Sequence, residues 1–297
     1  MYVTRFAPTP SGPLHFGSLV TLTGAWLRCR SMKGRFLLRI EDLDLPRCPQ
    51  GMSARILKEI ELLGFDHEGQ ILYQSNNLIR YRQIIAKLAK EHEVFKCTCT
   101  RASLKLKRCN CQQNLIKASE ITACSPGSLR FAPSFEKEKG FTDELLGFVP
   151  YHAPLSFGEE YLILRRSDGI ISYNLACVTD DLDSGVNEIV RGQDLLNATV
   201  PQLSLYKALN APYPKYFHLP LALATPNHKL SKQNHARAVL STCSPEQALK
   251  DALLFLGQDT DFITPAMDCK TILHKAADRF DPAKIDTTNR VAPDFNS

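Results

Sequence analysis

Three groups of residues in this chain have side chains and spacings suited to chemistry on a phosphate or on a metal ion. The first is a loop of residues 5–19 that is rich in proline, glycine and serine and contains His15. The second places two lysines three positions apart, in the run His228-Lys229-Leu230-Ser231-Lys232-Gln233. The third is a group of five cysteines that falls between Cys97 and Cys124.

The first group predicts a strand, a loop and a helix in succession. A helix start presents free backbone N–H groups and the positive end of the helix dipole, so it is suited to phosphate. Gly12 and Gly17 would let a ligand approach the backbone closely, and His15 would face the negative charge of a phosphoryl transition state. Arg5, at the end of the strand, could bind a carboxylate through two parallel hydrogen bonds. An ordinary loop between a strand and a helix has the same composition, so both interpretations stay open for this stretch alone.

The second group lies after the apolar run 217–223 and predicts a loop that carries two ammonium groups. Adenylate formation requires positive charge at a triphosphate, which Lys229 and Lys232 could supply together. Most pairs of lysines with this spacing are only solvated surface residues. The lysine pair therefore indicates a function only when it is considered together with the first group.

Together, and in this order, the two groups resemble the HIGH and KMSKS motifs of the class I aminoacyl-tRNA synthetases. They stand here as His15-Phe16-Gly17-Ser18 and Lys229-Leu230-Ser231-Lys232-Gln233, with Ser18 in place of the second histidine. Three more segments narrow the resemblance to the glutamyl-tRNA synthetase catalytic domain. They are Arg5-Phe6-Ala7-Pro8-Thr9-Pro10-Ser11-Gly12, residues 38–44 and residues 178–195.

This resemblance implies an ATP site, a glutamate site and a set of catalytic residues, with Mg²⁺ accompanying the triphosphate. The implied catalytic residues are His15, Gly17, Lys229, Ser231 and Lys232. The implied ATP-binding residues are Pro8, Gly12, His15, Gly17, Ser18, Lys229 and Lys232. The implied glutamate-binding residues are Arg5, Phe6, Ala7, Pro8, Thr9, Glu41, Tyr173 and Arg191. Two guanidinium groups, on Arg5 and Arg191, favour a substrate with two carboxylates, which is glutamate rather than glutamine.

The third group predicts a metal site, because clustered cysteines in a cytosolic enzyme indicate metal rather than disulfides. The resemblance implies Zn²⁺ held by Cys97, Cys99 and Cys124, with Glu120 at a position where relatives have a tyrosine. Glu120 could supply an oxygen ligand. Cys111 or Cys109 is the alternative fourth ligand and would give an all-thiolate site. Loss of the metal, or a group of free cysteines in a loop, also stays open.

The elements that must position these residues read as alternating strands and helices. The run 34–41 predicts a buried strand that ends at Glu41, and helices are expected over 52–64, 76–91, from Asp194 to Asn210 and over 245–257. This alternation predicts an α/β fold with a parallel sheet of the Rossmann-like type found in the HIGH-superfamily nucleotidyltransferases.

Residues 161–173 predict a β-hairpin with its turn at Ser167-Asp168-Gly169. Asp180, Asp181 and Asp183 suggest a helix N-terminus or an acidic metal site. The last twenty residues, from Asp278, are polar and are expected to be frayed or loosely docked.

Composition bounds the class of protein. The chain has 297 residues, of which 44% are hydrophobic, so it can form a sizeable core in one large domain with an insertion or in two domains. Its net charge of +5 permits a nucleic-acid partner without requiring one. The absence of a leader-like N-terminus and of a run of 18 apolar residues predicts a soluble cytoplasmic protein, expected to be a monomer.

A local excess of positive charge accompanies the cysteines, with no acid between Glu93 and Glu120. Such a face is usually only solvated, but here it could also contact RNA phosphates. Its members are Lys96, Arg101, Lys105, Lys107, Arg108 and Lys117.

The expected domain organisation follows the resemblance. Residues 1–93 would form the first half of the catalytic domain, and 94–190 an inserted subdomain, like an acceptor-binding domain, with the zinc site. Residues 191–240 would form the second half with the lysine loop, and 241–297 a short helical C-terminal region. Only 65 residues follow Lys232, which we expect to be too short for the anticodon-reading region of a glutamyl-tRNA synthetase.

These expectations narrow the resemblance to the glutamyl-Q tRNA(Asp) synthetases. That resemblance implies ATP-dependent activation of L-glutamate and its transfer to the queuosine base in the anticodon loop of tRNA(Asp), without charging of the acceptor end. One alternative is a truncated glutamyl-tRNA synthetase that charges the tRNA 3′ end. Others are a small-molecule adenylate-forming ligase and a tRNA-binding protein with a decayed active site. The presence of Arg5, His15, Lys229 and Lys232 argues against decay.

Overall fold

The structure is a computed structural model that describes residues 1–104, 106, 109–121, 127–132, 140–151, 161–225, 228–229 and 237–292. The α-helices in these ranges are α1 Phe16–Ser31, α2 Met52–Leu62, α3 Leu78–Glu91, α4 Arg101–Leu104, α5 Tyr173–Asp183, α6 Leu196–Ala208, α7 Pro245–Phe255 and α8 Cys269–Ala277. The strands are β1 Val3–Phe6, β2 Arg35–Ile40, β3 Leu72–Tyr73, β4 Val94–Cys97, β5 Ser128–Phe131, β6 Gly140–Asp143, β7 Gly147–Pro150, β8 Leu162–Arg165, β9 Glu188–Gly192, β10 Lys215–Leu219, β11 Ala222–Thr225, β12 His228–Lys229 and β13 Arg290–Val291. In this part of the chain, no helix combines the length and the apolar character that crossing a membrane requires.

The central strands of the molecule pair in parallel. β1 pairs with β2, and β2 with β3, while β9 pairs with β10. Asn187, just before β9, joins the two groups: its backbone N–H donates to Val3 O at 3.0 Å, and its side-chain Oδ1 accepts from Val3 N at 2.9 Å. The predicted α/β architecture with a parallel sheet is therefore confirmed.

Helix α1 lies at the centre of the larger hydrophobic core. Its residues Leu19, Leu22 and Trp26 are fully buried, because the sheet covers one side and helices α7 and α8 cover the other. Trp26 packs edge-on against His274 of α8 at 5.5 Å between ring centroids. At Gly24 a Cβ would lie 2.6 Å from Leu219 Cδ1, so the absence of a side chain sets how closely α1 approaches β10.

A second hydrophobic cluster lies around antiparallel strands β4, β5 and β8. It combines Leu129 of β5 with Ile85 of α3, Leu175 of α5 and Leu205 of α6. Helix α3 precedes residue 94 and α6 follows residue 190. The cluster therefore extends beyond both ends of the expected insertion.

The predicted hairpin over 161–173 is wrong in its second half. β8 and the turn form as expected, but Ile171 makes only an isolated bridge to Arg165, and Tyr173 begins helix α5. The reason is local: Ser172 is an N-cap whose side chain accepts from Leu175 N, and apolar residues follow at helical spacing. Asp180, Asp181 and Asp183 consequently lie at the C-terminal end of a helix, where the sequence had suggested its start.

The C-terminal segment is docked, in contrast to the expectation of fraying. As far as residue 292 it carries buried Ile285 and Ala292, and β13 pairs in parallel with β11. Asn289 Oδ1 accepts from Leu221 N at 2.7 Å. Because β11 also pairs with β12, this segment lies against the strands that lead to the lysine loop.

Candidate active site

A cavity of about 450 Å³ opens where the parallel strands β1, β2, β9 and β10 end. It contains all the residues that the sequence assigned to glutamate and most of those assigned to ATP. These residues are Arg5, Phe6, Ala7, Pro8, Thr9, His15, Gly17, Ser18, Glu41, Tyr173 and Arg191. Further lining residues, which sequence reasoning did not assign, include Val190, Asp194 and Leu221. Gly12 is buried and is not among the lining residues.

The lysine loop is only partly described. The backbone of Lys229 belongs to β12, which pairs with β11 next to the cavity-lining Ala222. Ser231 and Lys232 lie outside the described residues. Their expected roles therefore stay predictions.

Hydrogen bonds to other elements hold the loop between β1 and α1, and two of them lie near the cavity or its supporting helix. Glu41 N donates to Pro8 O at 3.1 Å, and Leu14 N donates to Glu59 Oε2 of α2 at 2.8 Å. The first bond connects the loop to the end of β2 and the second to a helix. Both the loop and Glu41 thus take up defined positions at one end of the cavity.

His15 forms the N-cap of α1. Its Nδ1 accepts from Ser18 N at 3.2 Å, and its Nε2 lies 3.1 Å from Ser18 Oγ. A Cβ at Gly17 would lie 3.2 Å from His15 Cε1, so glycine leaves room for the imidazole over the first turn. The helix start that faces the cavity therefore combines backbone N–H groups, the helix dipole and a histidine, which is a suitable site for an anion.

Two arginines of the sheet meet one buried carboxylate of α5. Arg5 donates through Nε to Asp181 Oδ1 at 2.9 Å and through Nη2 to Oδ2 at 3.3 Å, and Arg39 Nη1 donates to Oδ1 at 2.5 Å. Burial opposes the charge on Asp181, but the Arg39 and Arg5 guanidiniums outweigh it and hold its pKa below the usual value. These bonds use two of the five N–H donors of Arg5, which also lines the cavity.

Asp180 orients the same helix from its other side. It accepts from Gln74 Nε2 at 2.8 Å, from Asn77 Nδ2 at 2.8 Å and from Tyr81 OH at 2.9 Å. Burial raises the pKa of this carboxyl group despite the nearby Arg39. The two acids at the end of α5 therefore fix the helix whose first residue, Tyr173, lines the cavity.

Glu41 lies one residue beyond β2, as expected, and its side chain is about one-tenth exposed. Its Oε1 accepts from Arg39 Nη2 at 3.3 Å and from the thiol of Cys177 at 3.2 Å. Burial and the neighbouring Glu41 carboxylate raise the pKa of Cys177, so this thiol acts as a neutral donor. Cys177 was missed from the sequence because its position on α5 becomes relevant only when α5 packs on the sheet.

Arg191, at the end of β9, is held by several acceptors in the cavity wall. Its Nε donates to His218 Nε2 at 3.0 Å, and its Nη1 donates to Gln202 Oε1 at 2.7 Å. His218 in turn contacts Asp143, with 2.7 Å between Nδ1 and Oδ2. Neither His218 nor Asp143 was singled out by the sequence, since neither belongs to a motif.

The cysteines form a compact group in the described residues. The Sγ atoms of Cys97, Cys99, Cys109 and Cys111 all lie within 4.8 Å of one another. Individual separations are 3.6 Å for Cys97 and Cys109, 3.9 Å for Cys99 and Cys109, and 3.7 Å for Cys99 and Cys111. A tetrahedron with Zn–S bonds of about 2.3 Å has edges of about 3.8 Å, so four thiolates could ligate Zn²⁺ with little movement.

This group differs from the principal set that the sequence favoured. It includes both alternative cysteines, 109 and 111, and it does not include Glu120. Glu120 is exposed and accepts from Lys117 N at 3.2 Å, within a short 3₁₀ turn. Cys124 lies outside the described residues. The grouping arises because residues 109–111 fold back beside the end of β4, a contact that spacing along the chain does not reveal.

Little of the expected basic face is described. Lys96 is half-buried and Lys117 is exposed. Of the other four members, Lys105, Lys107 and Arg108 lie outside the described residues, and Arg101 is described in its backbone only. RNA contact by this face stays a prediction.

Comparison with known proteins extends these observations. A sequence model of the family described as tRNA synthetases class I (E and Q), catalytic domain, matches residues 1–259. A glutamyl-Q tRNA(Asp) synthetase of Shewanella oneidensis is 41% identical over 265 residues, which cover 87% of this chain and 85% of that protein. A glutamyl-Q tRNA(Asp) synthetase of Cronobacter sakazakii is 38% identical over an alignment that covers 100% of this chain and 97% of that protein.

The fold has solved counterparts. A crystal structure of a glutamate tRNA ligase from Elizabethkingia meningosepticum, in complex with its amino acid, superposes with a TM-score of 0.76 at 20% identity. The match covers 98% of this chain and 67% of that one, and at this identity it shows the fold alone. The sequence matches show more: this chain belongs to the class I tRNA synthetases for Glu and Gln and, within them, to the glutamyl-Q tRNA(Asp) synthetase family.

Proposed function

We propose that this protein is a ligase that activates L-glutamate with ATP and transfers the glutamyl group to the queuosine base of tRNA(Asp). The observation that carries the proposal is the cavity itself. It places two arginines, one glutamate and one tyrosine beside the N-terminus of α1 and its histidine cap. The family to which the chain belongs performs ATP-dependent chemistry, in which Mg²⁺ neutralises charge on the triphosphate.

The polar groups of the cavity suit glutamate. Arg5 and Arg191 would each bind one of its two carboxylates, and Glu41 would bind the ammonium group. Tyr173 supplies a phenol and an aromatic surface at the same wall, and the backbone from Phe6 to Thr9 lines the adjacent side. An uncharged glutamine side chain would leave one guanidinium without its anion, which favours glutamate by charge.

The first chemical step joins the two substrates. An oxygen of the glutamate α-carboxylate attacks the α-phosphorus of ATP, a new P–O bond forms, and the bond to the bridging oxygen breaks to release pyrophosphate. Ser18 N and the other backbone N–H groups at the start of α1 would face the phosphate, together with His15. Lys229 and Lys232, with Ser231 between them, would add positive charge as the transition state develops. Pro8 and Gly17 would line the nucleotide side of the site, and Gly12 would act only through the conformation of the same loop.

The second step transfers the glutamyl group. A hydroxyl of the queuosine cyclopentene ring attacks the carbonyl carbon of the adenylate, AMP leaves, and the hydroxyl proton is lost. The named relatives are glutamyl-Q tRNA(Asp) synthetases, which supports this acceptor over the 3′ end of a tRNA.

We also propose that the Cys97, Cys99, Cys109 and Cys111 group binds one Zn²⁺ that is structural. Four protein thiolates would complete a tetrahedral shell and leave no open position for substrate, which is typical of structural zinc. The sequence set with Glu120 and Cys124 is the competing proposal.

The remaining proposals concern organisation. We propose that residues 1–93 and 191–240 act as one catalytic unit together with α5, whose Tyr173 lines the cavity. The rest of 94–190 would contact the RNA, and 241–297 would support the lysine loop. The substrates, tRNA and ATP, are those of a cytoplasmic enzyme, and we propose that it acts as a monomer. Sedimentation with and without tRNA(Asp) would give the stoichiometry.

The product identifies the reaction. Purified protein is incubated with ATP, labelled glutamate and tRNA(Asp) that either carries or lacks queuosine, and the tRNA is then cleaved to locate the label. We expect label only on the queuosine-containing tRNA, within its anticodon fragment. Periodate cleaves the free cis-diol of queuosine, so mild oxidation before the reaction should abolish this label. Label on the 3′-terminal nucleoside would instead identify a truncated charging enzyme, and activation without an RNA product would point to another acceptor.

A further inference from the structure

Arg191 is connected to an acid that lies outside the cavity. The chain of contacts runs from Arg191 through His218 to Asp143, and all three side chains are buried. We propose that Asp143 is a positioning residue for the glutamate site: it fixes the tautomer of His218, whose Nε2 then holds the Arg191 guanidinium in place. This inference rests on the proposed role of Arg191 in binding glutamate.

The protons in this chain have one consistent arrangement. A guanidinium only donates, so His218 Nε2, 3.0 Å from Arg191 Nε, must accept and carries no proton. The proton of the neutral imidazole is then on Nδ1, which donates to Asp143 Oδ2 at 2.7 Å. The carboxylate thus selects the tautomer that presents a lone pair to Arg191.

Asp143 is itself fixed by its backbone surroundings. It is the last residue of β6, and its Oδ1 accepts from Leu145 N and from Leu146 N, both at 3.0 Å, in the turn to β7. The backbone N–H of His218 is shared between the two oxygens, at 3.1 Å from Oδ2 and 3.3 Å from Oδ1. Oδ1 therefore holds the turn, and Oδ2 is the oxygen that faces the imidazole Nδ1.

The remaining donors of Arg191 are largely engaged in the same wall. Nη1 donates to Gln202, and Nη2 donates to Thr199 Oγ1 at 2.8 Å and to Leu195 O at 3.2 Å. The guanidinium carbon lies 5.2 Å from the centroid of the Tyr216 ring, which stacks on His218. With four of its five N–H donors directed by protein acceptors, Arg191 presents its remaining donor from a fixed orientation.

The charges around His218 keep it neutral. Arg191 faces its Nε2, Asp143 faces its Nδ1, and Asp194 is the other acid that acts on it. Burial lowers the pKa of His218, and the Arg191 guanidinium lowers it further, although Asp143 opposes both. Protonation would place an Nε2–H against the Arg191 Nε–H, so acid should loosen Arg191.

The variant Asp143→Asn tests the tautomer directly. The oxygen of the amide should take the Oδ1 position, where it can accept from Leu145 N, Leu146 N and His218 N. The amide NH₂ would then take the Oδ2 position and donate to His218 Nδ1. The imidazole proton would then move to Nε2 and oppose the Arg191 Nε–H. We expect the KM for glutamate to rise about tenfold or more, the size expected when a hydrogen bond to a charged group is lost, with the KM for ATP unchanged.

Two further variants separate positioning from a general structural effect. His218→Gln offers a carbonyl oxygen near the Nε2 position that accepts from Arg191 whatever stands at residue 143. Adding it to Asp143→Asn should therefore restore the glutamate KM towards that of His218→Gln alone. Asp42→Asn is the matched control, because Asp42 accepts from Ser75 N at 2.8 Å and Ser75 Oγ at 2.6 Å, outside this chain of contacts.

Two measurements distinguish failure of the inference from failure of the proposed function. ¹⁵N NMR of the full-length protein reports which ring nitrogen of His218 carries the proton, and we expect Nδ1 in the wild type and Nε2 in Asp143→Asn. An unchanged tautomer, or a double variant no better than Asp143→Asn, overturns the inference. Wild-type protein that lacks glutamate-dependent exchange of pyrophosphate into ATP overturns the proposed function, whatever the tautomer.

A pH profile covers the case in which Asp143→Asn does not fold. In the wild type, the KM for glutamate should rise in acid, at a pH below the ordinary pKa of histidine, because the pKa of His218 is lowered and its protonated form repels Arg191. In His218→Gln the KM for glutamate should not show this rise in acid. Identical profiles for the two proteins down to the lowest pH at which both stay folded would overturn the inference.

Discussion

The cationic side chains of the cavity are held by acceptors that come from distant parts of the chain. Arg5 is bound by Asp181, and Arg191 is bound by His218 and, through it, by Asp143. Arginines fixed in this way lose little side-chain freedom when a substrate carboxylate binds. Preorganised charge of this kind also stabilises a transition state without reorganisation.

Glu41 provides a prediction at the same scale. Glu41→Gln removes the charge proposed to bind the glutamate ammonium but keeps an amide oxygen that can accept from Arg39. We expect the KM for glutamate to rise between about tenfold and a hundredfold, which corresponds to about 1.5–3 kcal/mol for a hydrogen bond to a charged group. Pyrophosphate exchange kinetics would measure it. Asp42→Asn, one residue away, should leave the KM as it is; an equal effect in both variants would contradict the role of Glu41.

Lys232 carries a second prediction, which rests on its place in the lysine motif. Lys232→Ala should lower the rate of glutamate activation by a factor of about 10² or more, by analogy with removal of one transition-state donor. Stopped-flow or exchange kinetics at saturating substrates would detect the loss. The exposed Lys270 on α8 gives a control, since Lys270→Ala should retain the full rate. A near-normal rate for Lys232→Ala would remove this residue from the mechanism.

At the scale of elements, sequence patterns succeeded where the signal was local. Five elements form close to their predicted places: β1, β2, α1, α2 and α7. Each of these segments has a clear apolar pattern and a signal at its end. Gly64, for example, stops α2 and adopts a positive φ of 78°. The failures occurred where a short segment had two acceptable structures. Residues 170–173 fit a strand by composition, but Ser172 caps a helix that packs on α3 and α6.

The cysteine group gives a prediction at this scale. We expect about one Zn²⁺ per chain in protein purified without chelator, and Cys111→Ser should lose most of it, because three remaining thiolates no longer complete the tetrahedron. Elemental analysis measures the metal, and a lower thermal midpoint would report loss of support between β4 and its surroundings. Removal of zinc should also become easier in acid, since protons compete with the metal for the sulfur atoms and only the thiolate is a good ligand.

Controls distinguish this set of ligands from the set favoured by the sequence. Cys243→Ser, at a half-buried thiol that donates to Val239 O, should retain zinc. Glu120→Gln should retain it too. Full zinc in Cys111→Ser, combined with loss of zinc in Cys124→Ser or Glu120→Gln, would restore the original set.

At the scale of the whole molecule, Asp181 connects the two hydrophobic clusters. Its carboxylate binds Arg5 of β1 and Arg39 of β2, while its helix α5 packs in the cluster around β4, β5 and β8. Asp181→Asn removes the charge that balances two buried guanidiniums. We expect the free energy of unfolding to fall by about 3–5 kcal/mol at neutral pH, which urea denaturation would measure.

The pH dependence of that loss has a definite sign. The pKa of Asp181 is lowered in the folded protein, so its contribution is complete above the unfolded-state pKa of about 3.9 and is lost as pH falls through the lower folded-state pKa. The difference between wild type and Asp181→Asn should therefore shrink below about pH 4. The contribution of Asp180 to stability changes with pH in the opposite direction, because burial raises its pKa. A difference that stays constant from pH 3 to pH 7 would contradict the assignment.

The sequence by itself determined the class of fold, the loop before α1 with its histidine, the placement of Glu41 beyond β2 and the membership of most of the cavity wall. The fold class, the loop and the position of Glu41 follow from short segments in which periodicity and caps encode local structure, whereas the cavity residues were assigned through the resemblance to a known family. Only the tertiary structure decided which acid balances Arg5, which histidine orients Arg191 and which four cysteines meet. Asp181 lies 176 positions from Arg5, and Asp143 lies 75 positions from His218. Contacts of α5 with β1 and β2 bring Asp181 to Arg5, and contacts of β6 with β10 bring Asp143 to His218. No local pattern records either contact.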